Sequence, residues 1–169
     1  MNFEFATSGR ILFGAGTVAQ AGPAAAHMGA RALVAVGAPD EVTAVLLDTL
    51  AQHNVAVTRF AVSDEPTIQT IAAGVSQARQ AGCQLVIGLG GGSAIDTGKA
   101  IAALLTNGGE PLDYLEVIGR GRPLTQPSAP MIAIPTTAGT GAEVTRNAVL
   151  ASPKHRVKAS LRSPHMLPD

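Results

Sequence analysis

Leu85-Val86-Ile87-Gly88-Leu89-Gly90-Gly91-Gly92-Ser93-Ala94-Ile95-Asp96-Thr97-Gly98-Lys99 decides the reading of this chain. Leu85 to Leu89 is its most strand-like run, and a helix over about residues 94–105 follows the glycines. Four of the five residues 88–92 are glycine, more than a strand-to-helix turn requires. Glycines there let the backbone approach a ligand and expose its amides, while the next helix aims the positive end of its dipole at the same place. Such a turn holds a pyrophosphate without any full charge. Ser93 and Asp96 have capping-box spacing, which predicts that Ser93 caps the helix and that its hydroxyl or amide faces the phosphate. Two better-known motifs fail. The Rossmann fingerprint requires glycine where Ser93 stands and normally lies in the first strand-helix unit. The phosphate loop of nucleotide triphosphatases also requires glycine at position 93, and Ser or Thr where Ala100 stands.

Outward from this stretch, strand and helix alternate. Ala32–Val36 and Ala56–Phe60 read as strands, and Met131–Ile134 as a further strand ending at Pro135. Val42, Val45, Leu46, Thr49 and Leu50 keep helical spacing, stopped near Asn54. Ile68, Ile71, Ala72, Val75 and Ala78 do the same and stop at Gly82. Thr17-Val18-Ala19-Gln20 has capping-box spacing for an earlier helix closed by Gly29. Residues 3–7 and 10–13, around Ser8-Gly9, predict an N-terminal β-hairpin, and residues 143–161 predict a second hairpin. Residues 107–130 read mostly as loop. The expected fold is α/β: a Rossmann-like parallel sheet with helices on both faces, preceded by a hairpin, in one domain over 1–169.

Composition narrows the function classes. The 169 residues carry 12 Lys+Arg against 12 Asp+Glu, so the chain lacks the basic surplus of a nucleic-acid binder. Hydrophobic residues make up 46% and charged ones 14%, which excludes a disordered chain. A charge fraction that low, with a mean hydropathy of +0.26, predicts apolar surface hidden against a partner, most simply a second copy. No apolar run is long enough to span a membrane, and Met1-Asn2-Phe3-Glu4-Phe5 lacks the pattern of a signal peptide, so a cytoplasmic location is expected. The single cysteine, Cys83, reads as a small buried hydrophobe. From Arg146 onward five basic residues face one acid, Asp169, a solvated face or cations for a bound phosphate or ribose.

A second polar stretch follows a strand: Pro135-Thr136-Thr137-Ala138-Gly139-Thr140-Gly141-Ala142-Glu143. Loops at the carboxyl ends of adjacent parallel strands face one crevice, so this loop and the glycine turn can hold two ends of one extended ligand. Gly90 to Lys99 together with Pro135 to Thr145 resemble the two signature stretches of the iron-containing alcohol dehydrogenase family, and Phe13-Gly14-Ala15-Gly16 resembles its opening turn. The resemblance runs through the whole chain in order. It implies the NAD- or NADP-binding α/β part of an oxidoreductase acting on a small alcohol or aldehyde, commonly as a dimer. Gly91, Gly92 and Ser93 would then contact the pyrophosphate, and Thr136, Thr137 and Thr140 would line the nicotinamide side. Lys158 matches a family lysine near the nicotinamide ribose. With Gly90 and Asp96 in the first stretch, and Gly37, these are the candidate cofactor-binding residues.

Three departures matter. The family chain is about twice as long, and its helical second half supplies one Asp and three His ligands to Fe2+ or another divalent metal. That half is absent from these 169 residues, so no catalytic residue and no metal ligand is expected among them. His27, His53, His155 and His165 lack ligand spacing. Gly37 ends the strand where the family often carries an Asp for the adenosine ribose, leaving Asp40 and Glu41 to take over that role. Maleylacetate reductase is an alternative of the same class, although Ala138-Gly139-Thr140-Gly141 fits the alcohol dehydrogenases better. A nucleotide-binding module without catalysis is an alternative of another class.

Overall fold

The computed structural model describes residues 1–169. Its centre is a four-stranded, wholly parallel sheet in the order β2-β1-β3-β4. The strands are β1 (Arg31–Gly37), β2 (Ala56–Ala61), β3 (Leu85–Gly90) and β4 (Met131–Pro135). Every residue of β3 is buried, as are Ala32 to Ala35 of β1. This is why both read as unbroken apolar runs rather than as alternating strands.

Helices cover both faces. Ala32, Val34, Leu85, Ile87 and Leu89 point to the side of α1 (Ala21–Met28) and α2 (Asp40–Gln52), where Ala25, Leu46 and Leu50 are fully buried. Leu33, Ala35 and Val86 point the other way, toward α3 (Ile68–Gln80) and α4 (Gly92–Asn107). A four-residue helix, α5 (Pro111–Tyr114), interrupts the long loop over 107–130. The C-terminal hairpin forms as expected: β5 (Asn147–Ser152) pairs antiparallel with β6 (Val157–Arg162). No helix is long and apolar enough to cross a membrane.

α4 carries the most constraint. Ten of its 16 residues are buried, on more than one face, because the sheet, α3 and β5 all pack against it. Its seat on β3 depends on absent side chains. A Cβ at Gly88 would lie 3.0 Å from the Ile95 Cα and 3.2 Å from the Ala94 carbonyl oxygen, both backbone atoms of α4.

Two expectations are corrected. Residues 3–7 and 10–13 form no hairpin; they belong to no strand. Ser8 Oγ donates instead to the Glu143 carbonyl at 2.6 Å, and the Gly9 amide to the Pro168 carbonyl at 3.2 Å. The intended turn is thereby used to dock the segment. Phe3, Phe5 and Phe13 stay exposed, and an isolated two-stranded ribbon without a buried face is marginal in water. Nor does Thr17 cap an α-helix. Its hydroxyl donates to the Gly14 carbonyl at 3.0 Å, and Thr17–Gln20 is a 3-10 turn that leads into α1.

Because α4 meets β3 backbone to backbone, Gly88→Ala is expected to lower stability by about 1–3 kcal/mol, the usual range for overpacking. A shift of the denaturant midpoint at unchanged slope checks it.

Candidate functional site

The strand order creates one crevice. The chain runs from β1 outward to β2, returns past β1 to β3, and continues the other way to β4. The loops leaving β1 and β3 therefore diverge to opposite faces. The gap between the carboxyl ends of these adjacent strands is the switch point at which open α/β sheets bind ligands. Gly37 and Gly90 face each other there in register. Gly90 has φ +144, and a Cβ on it would lie 2.8 Å from the carbonyl carbon and oxygen of Gly37. Only glycine fits this approach.

Beyond Gly90 the chain turns into α4. Its N-cap is Gly91, not Ser93, and no side chain caps it. The capping box expected at Ser93 and Asp96 does not form because Asp96 has other partners: Oδ2 accepts the Val149 amide of β5 at 3.0 Å, and Oδ1 lies 3.0 Å from Lys99 Nζ. The amides of Gly91, Gly92 and Ser93 donate to no acceptor within the chain. They are free donors at the positive end of a 16-residue helix whose first turn holds no acid. The Asp96 carboxylate, one turn further in, is neutralised by Lys99 and so does not oppose an anion at the cradle.

The threonine loop closes over this cradle. The Thr136 amide donates to the Gly90 carbonyl at 2.9 Å, which ties the loop's start to the end of β3. A Cβ built on Gly91 would lie 3.4 Å from Thr137 Oγ1, and one on Gly92 would lie 3.5 Å from Thr140 Cβ. Thr136, Thr137 and Thr140 are exposed, and Thr140 Oγ1 also donates to Glu143 at 3.3 Å. Lys158 reaches the same region from β6. With Glu65, Pro66, Ser93, Asp96 and Ala151 it lines a cleft of about 160 Å³. Ser93, Asp96 and Lys158 thus come together, as do the glycines with the threonines. Gly37 lies across the β1–β3 gap on the other side.

Sequence reasoning missed three residues. Lys99 is 1% exposed, and its Nζ donates to the carbonyls of Ala142 at 2.7 Å, Thr145 at 3.3 Å and Asn147, besides pairing with Asp96. Burial pushes its pKa below the ordinary lysine value, while Asp96 and then Glu143 pull it back up. A lysine in an apolar helix three residues after an aspartate was the available signal. Glu65, in the loop from β2 to α3, pairs with Lys158. Arg59 on β2 reaches Asp40 at 3.6 Å, beside Gly37. Both depend on long-range contacts that spacing does not reveal.

The other candidates are structural. Cys83 is 8% exposed, and burial raises its thiol pKa, so it packs as a hydrophobe. His53 Nδ1 bonds the Thr49 carbonyl at 2.8 Å, and His155 Nδ1 the Ser152 hydroxyl at 2.8 Å. No group of three or more His, Cys, Asp or Glu side chains comes together to hold a metal ion.

Comparison with known proteins agrees with this fold. The sequence profile of the family described as iron-containing alcohol dehydrogenase matches residues 8–169. Alcohol dehydrogenase 4 of Schizosaccharomyces pombe is 32% identical over 162 residues, 93% of this chain and 37% of that relative. The 4-hydroxybutyrate dehydrogenase of Cupriavidus necator is 42% identical over 114 residues, 65% of this chain and 30% of that relative. Among solved structures, sulfoacetaldehyde reductase from Bifidobacterium kashiwanohense in complex with NAD+ is 30% identical with a TM-score of 0.85, covering 100% of this chain and 45% of that one. The chain spans less than half the length of each of these proteins.

Removing the buried ammonium leaves three carbonyls and a carboxylate without their donor. Lys99→Met is therefore expected to cost about 3–5 kcal/mol of folding stability. Lys158→Met, on a pair more than half exposed, should cost less than about 1 kcal/mol. Parallel denaturation curves of the two variants check the contrast.

Proposed function

The chain belongs to the iron-containing alcohol dehydrogenase family, and from that membership we propose that it forms the NAD(P)-binding part of an oxidoreductase. The reaction moves a hydride between a nicotinamide cofactor and a small alcohol or aldehyde. The observation that carries this reading is the cradle: free amides of Gly91, Gly92 and Ser93 at the head of α4, placed at the switch point and faced by the threonine loop.

The residues present fit a dinucleotide. The amides would hold the pyrophosphate, and the bare backbone at Gly90 and Gly37 would admit its approach. The hydroxyls of Thr136, Thr137 and Thr140 would orient the nicotinamide side, and Lys158 would lie by a ribose. Asp96 acts at one remove, by holding Val149 and neutralising Lys99. When bound, the nicotinamide supplies the hydride chemistry; the chain's own residues bind it, orient it and keep its phosphates away from uncompensated negative charge. The side chains do not fit a divalent metal, and no step is assigned to one. The proposed assembly is a homo-oligomer. Phe3, Phe5 and Phe13 are 86%, 81% and 100% exposed on the unpaired N-terminal segment, an apolar surface for a second copy. Light scattering should show a mass above the monomer that falls when Phe3 and Phe5 are replaced by Ser.

Cofactor choice follows from the edge at Gly37. A Cβ there would lie 3.1 Å from Ala94 Cβ and 3.2 Å from the Val62 carbonyl, so a ribose-binding carboxylate in that place would require these neighbours to give by a few tenths of an ångström. Asp40 supplies an acceptor nearby, and Arg59, 3.6 Å from it, supplies a cation for a 2′-phosphate. Each cofactor therefore meets one favourable partner. Calorimetric titration should give NAD and NADP affinities within about tenfold, or 1.4 kcal/mol. Gly91→Val fills the cradle at a residue with ordinary extended backbone (φ -76), so it should weaken both by more than about tenfold at an almost unchanged melting temperature. A wild-type chain that binds neither, or a variant that binds as well as wild type, would refute the cradle.

A further inference from the structure

The far end of the sheet holds a second cleft, of about 450 Å³, between the α3–β3 turn, the last turn of α4 and the segment before β4. It lies at the amino ends of the strands, away from the cradle, since Gln84 and Pro130 precede β3 and β4. Cys83, Leu105 and Ala129 give it a mainly apolar floor, and no carboxylate lines it. Arg79 is its one charged residue. Ser128 stands on the wall, and its hydroxyl is the one buried side-chain polar atom without a hydrogen-bond partner. Native structures leave few such groups unmet.

Charge decides what fits. The carbonyl ends of α3 and α4 point toward this end of the molecule, which alone would disfavour an anion. Two guanidinium groups reverse that sign. Arg79 donates to the Leu104 carbonyl at 2.8 Å, and Arg31 Nε, at the rim, donates to the Gly82 carbonyl at 2.8 Å. Each is held by a backbone bond that leaves its other N–H groups free, and neither enters an ion pair. A guanidinium sets a full charge against the partial charge of a helix end, and its fork of donors suits a carboxylate. A cationic rim over an apolar floor therefore matches an amphiphilic anion, with its carboxylate at the arginines and its aliphatic body along Leu105 and Ala129. An inorganic anion leaves the floor unused, and a neutral amphiphile leaves the arginines unpaired.

We propose that this cleft binds a small organic carboxylate with an aliphatic body, at a site separate from the dinucleotide cradle. The inference does not depend on the dinucleotide reading. Octanoate, octanamide and inorganic sulfate are the probes, each titrated into the isotope-labelled chain while its amide shifts are followed by NMR. Octanoate should saturate with a Kd of about 1 mM, in keeping with its size. The shifts should cluster at Gly82, Cys83, Leu105, Thr106 and Ala129. Octanamide and sulfate should each bind at least about fivefold more weakly. Arg79→Gln should weaken octanoate about fivefold, with Arg79→Lys recovering part of the loss. Arg31→Gln should weaken it in the same direction without disturbing the Leu104 carbonyl, and it carries the test if Arg79→Gln does not fold. Shifts centred on Gly91 to Ser93, or on the N-terminal phenylalanines, would put the probe elsewhere and overturn the proposal. Octanamide or sulfate binding as tightly as octanoate would overturn it too, as would arginine variants that bind octanoate like the wild type. Absence of octanoate binding at about ten times the expected Kd would have the same result.

Discussion

An ammonium group at the centre of a folded chain must be surrounded by acceptors, and much of this architecture satisfies that demand. Lys99 sits on a helix buried on several faces, and no solvent reaches it. Its partners are backbone carbonyls of residues 142–147 and the carboxylate one turn earlier. Leaving any of them unmet inside a protein is expensive, so the segment after the threonine loop has little choice but to lie against α4. Asp96 extends the same logic to β5 through the Val149 amide. The threonine loop is therefore positioned from behind, by contacts that leave its tip exposed.

This arrangement also resolves an electrostatic conflict. An acid in the second turn of a helix would favour the fold through the dipole and work against an anion at its N-terminus. Pairing Asp96 with Lys99 retains the carboxylate as a hydrogen-bond acceptor while offsetting its charge toward an anion at the helix head. The three amides at the head of α4 then act on an anion without opposition.

The sheet and its covering helices were legible in the sequence. The strands and helices from β1 to β4, α5 apart, end within two residues of where periodicity places them. The reason is physical: a parallel sheet buried on both faces demands continuous apolar runs, and its crossover helices demand one apolar side. The glycine turn was legible for a related reason, since Gly88 and Gly90 stand where backbones meet too closely for a side chain. What escaped was whatever depends on partners far away in the chain. Two capping boxes had the right spacing and neither formed, because Thr17 turned back to Gly14 and Asp96 was claimed by a strand 53 residues later. The N-terminal hairpin had suitable alternation but no face to bury. Glu65 and Lys158 are 93 residues apart, and nothing local in either marks the cleft they share.

The burial of α4 has a consequence for how relatives of this chain can diverge. A helix hemmed in by a sheet, a neighbouring helix and a hairpin cannot change residue by residue without disturbing at least one of them. The part of the molecule proposed to hold phosphate is thus the part least free to change. Change is easier at two segments that end in open space: the turn after β1 and the exposed threonine loop. Each can vary without moving the helix, so the helix head and the edge around it are free to change separately.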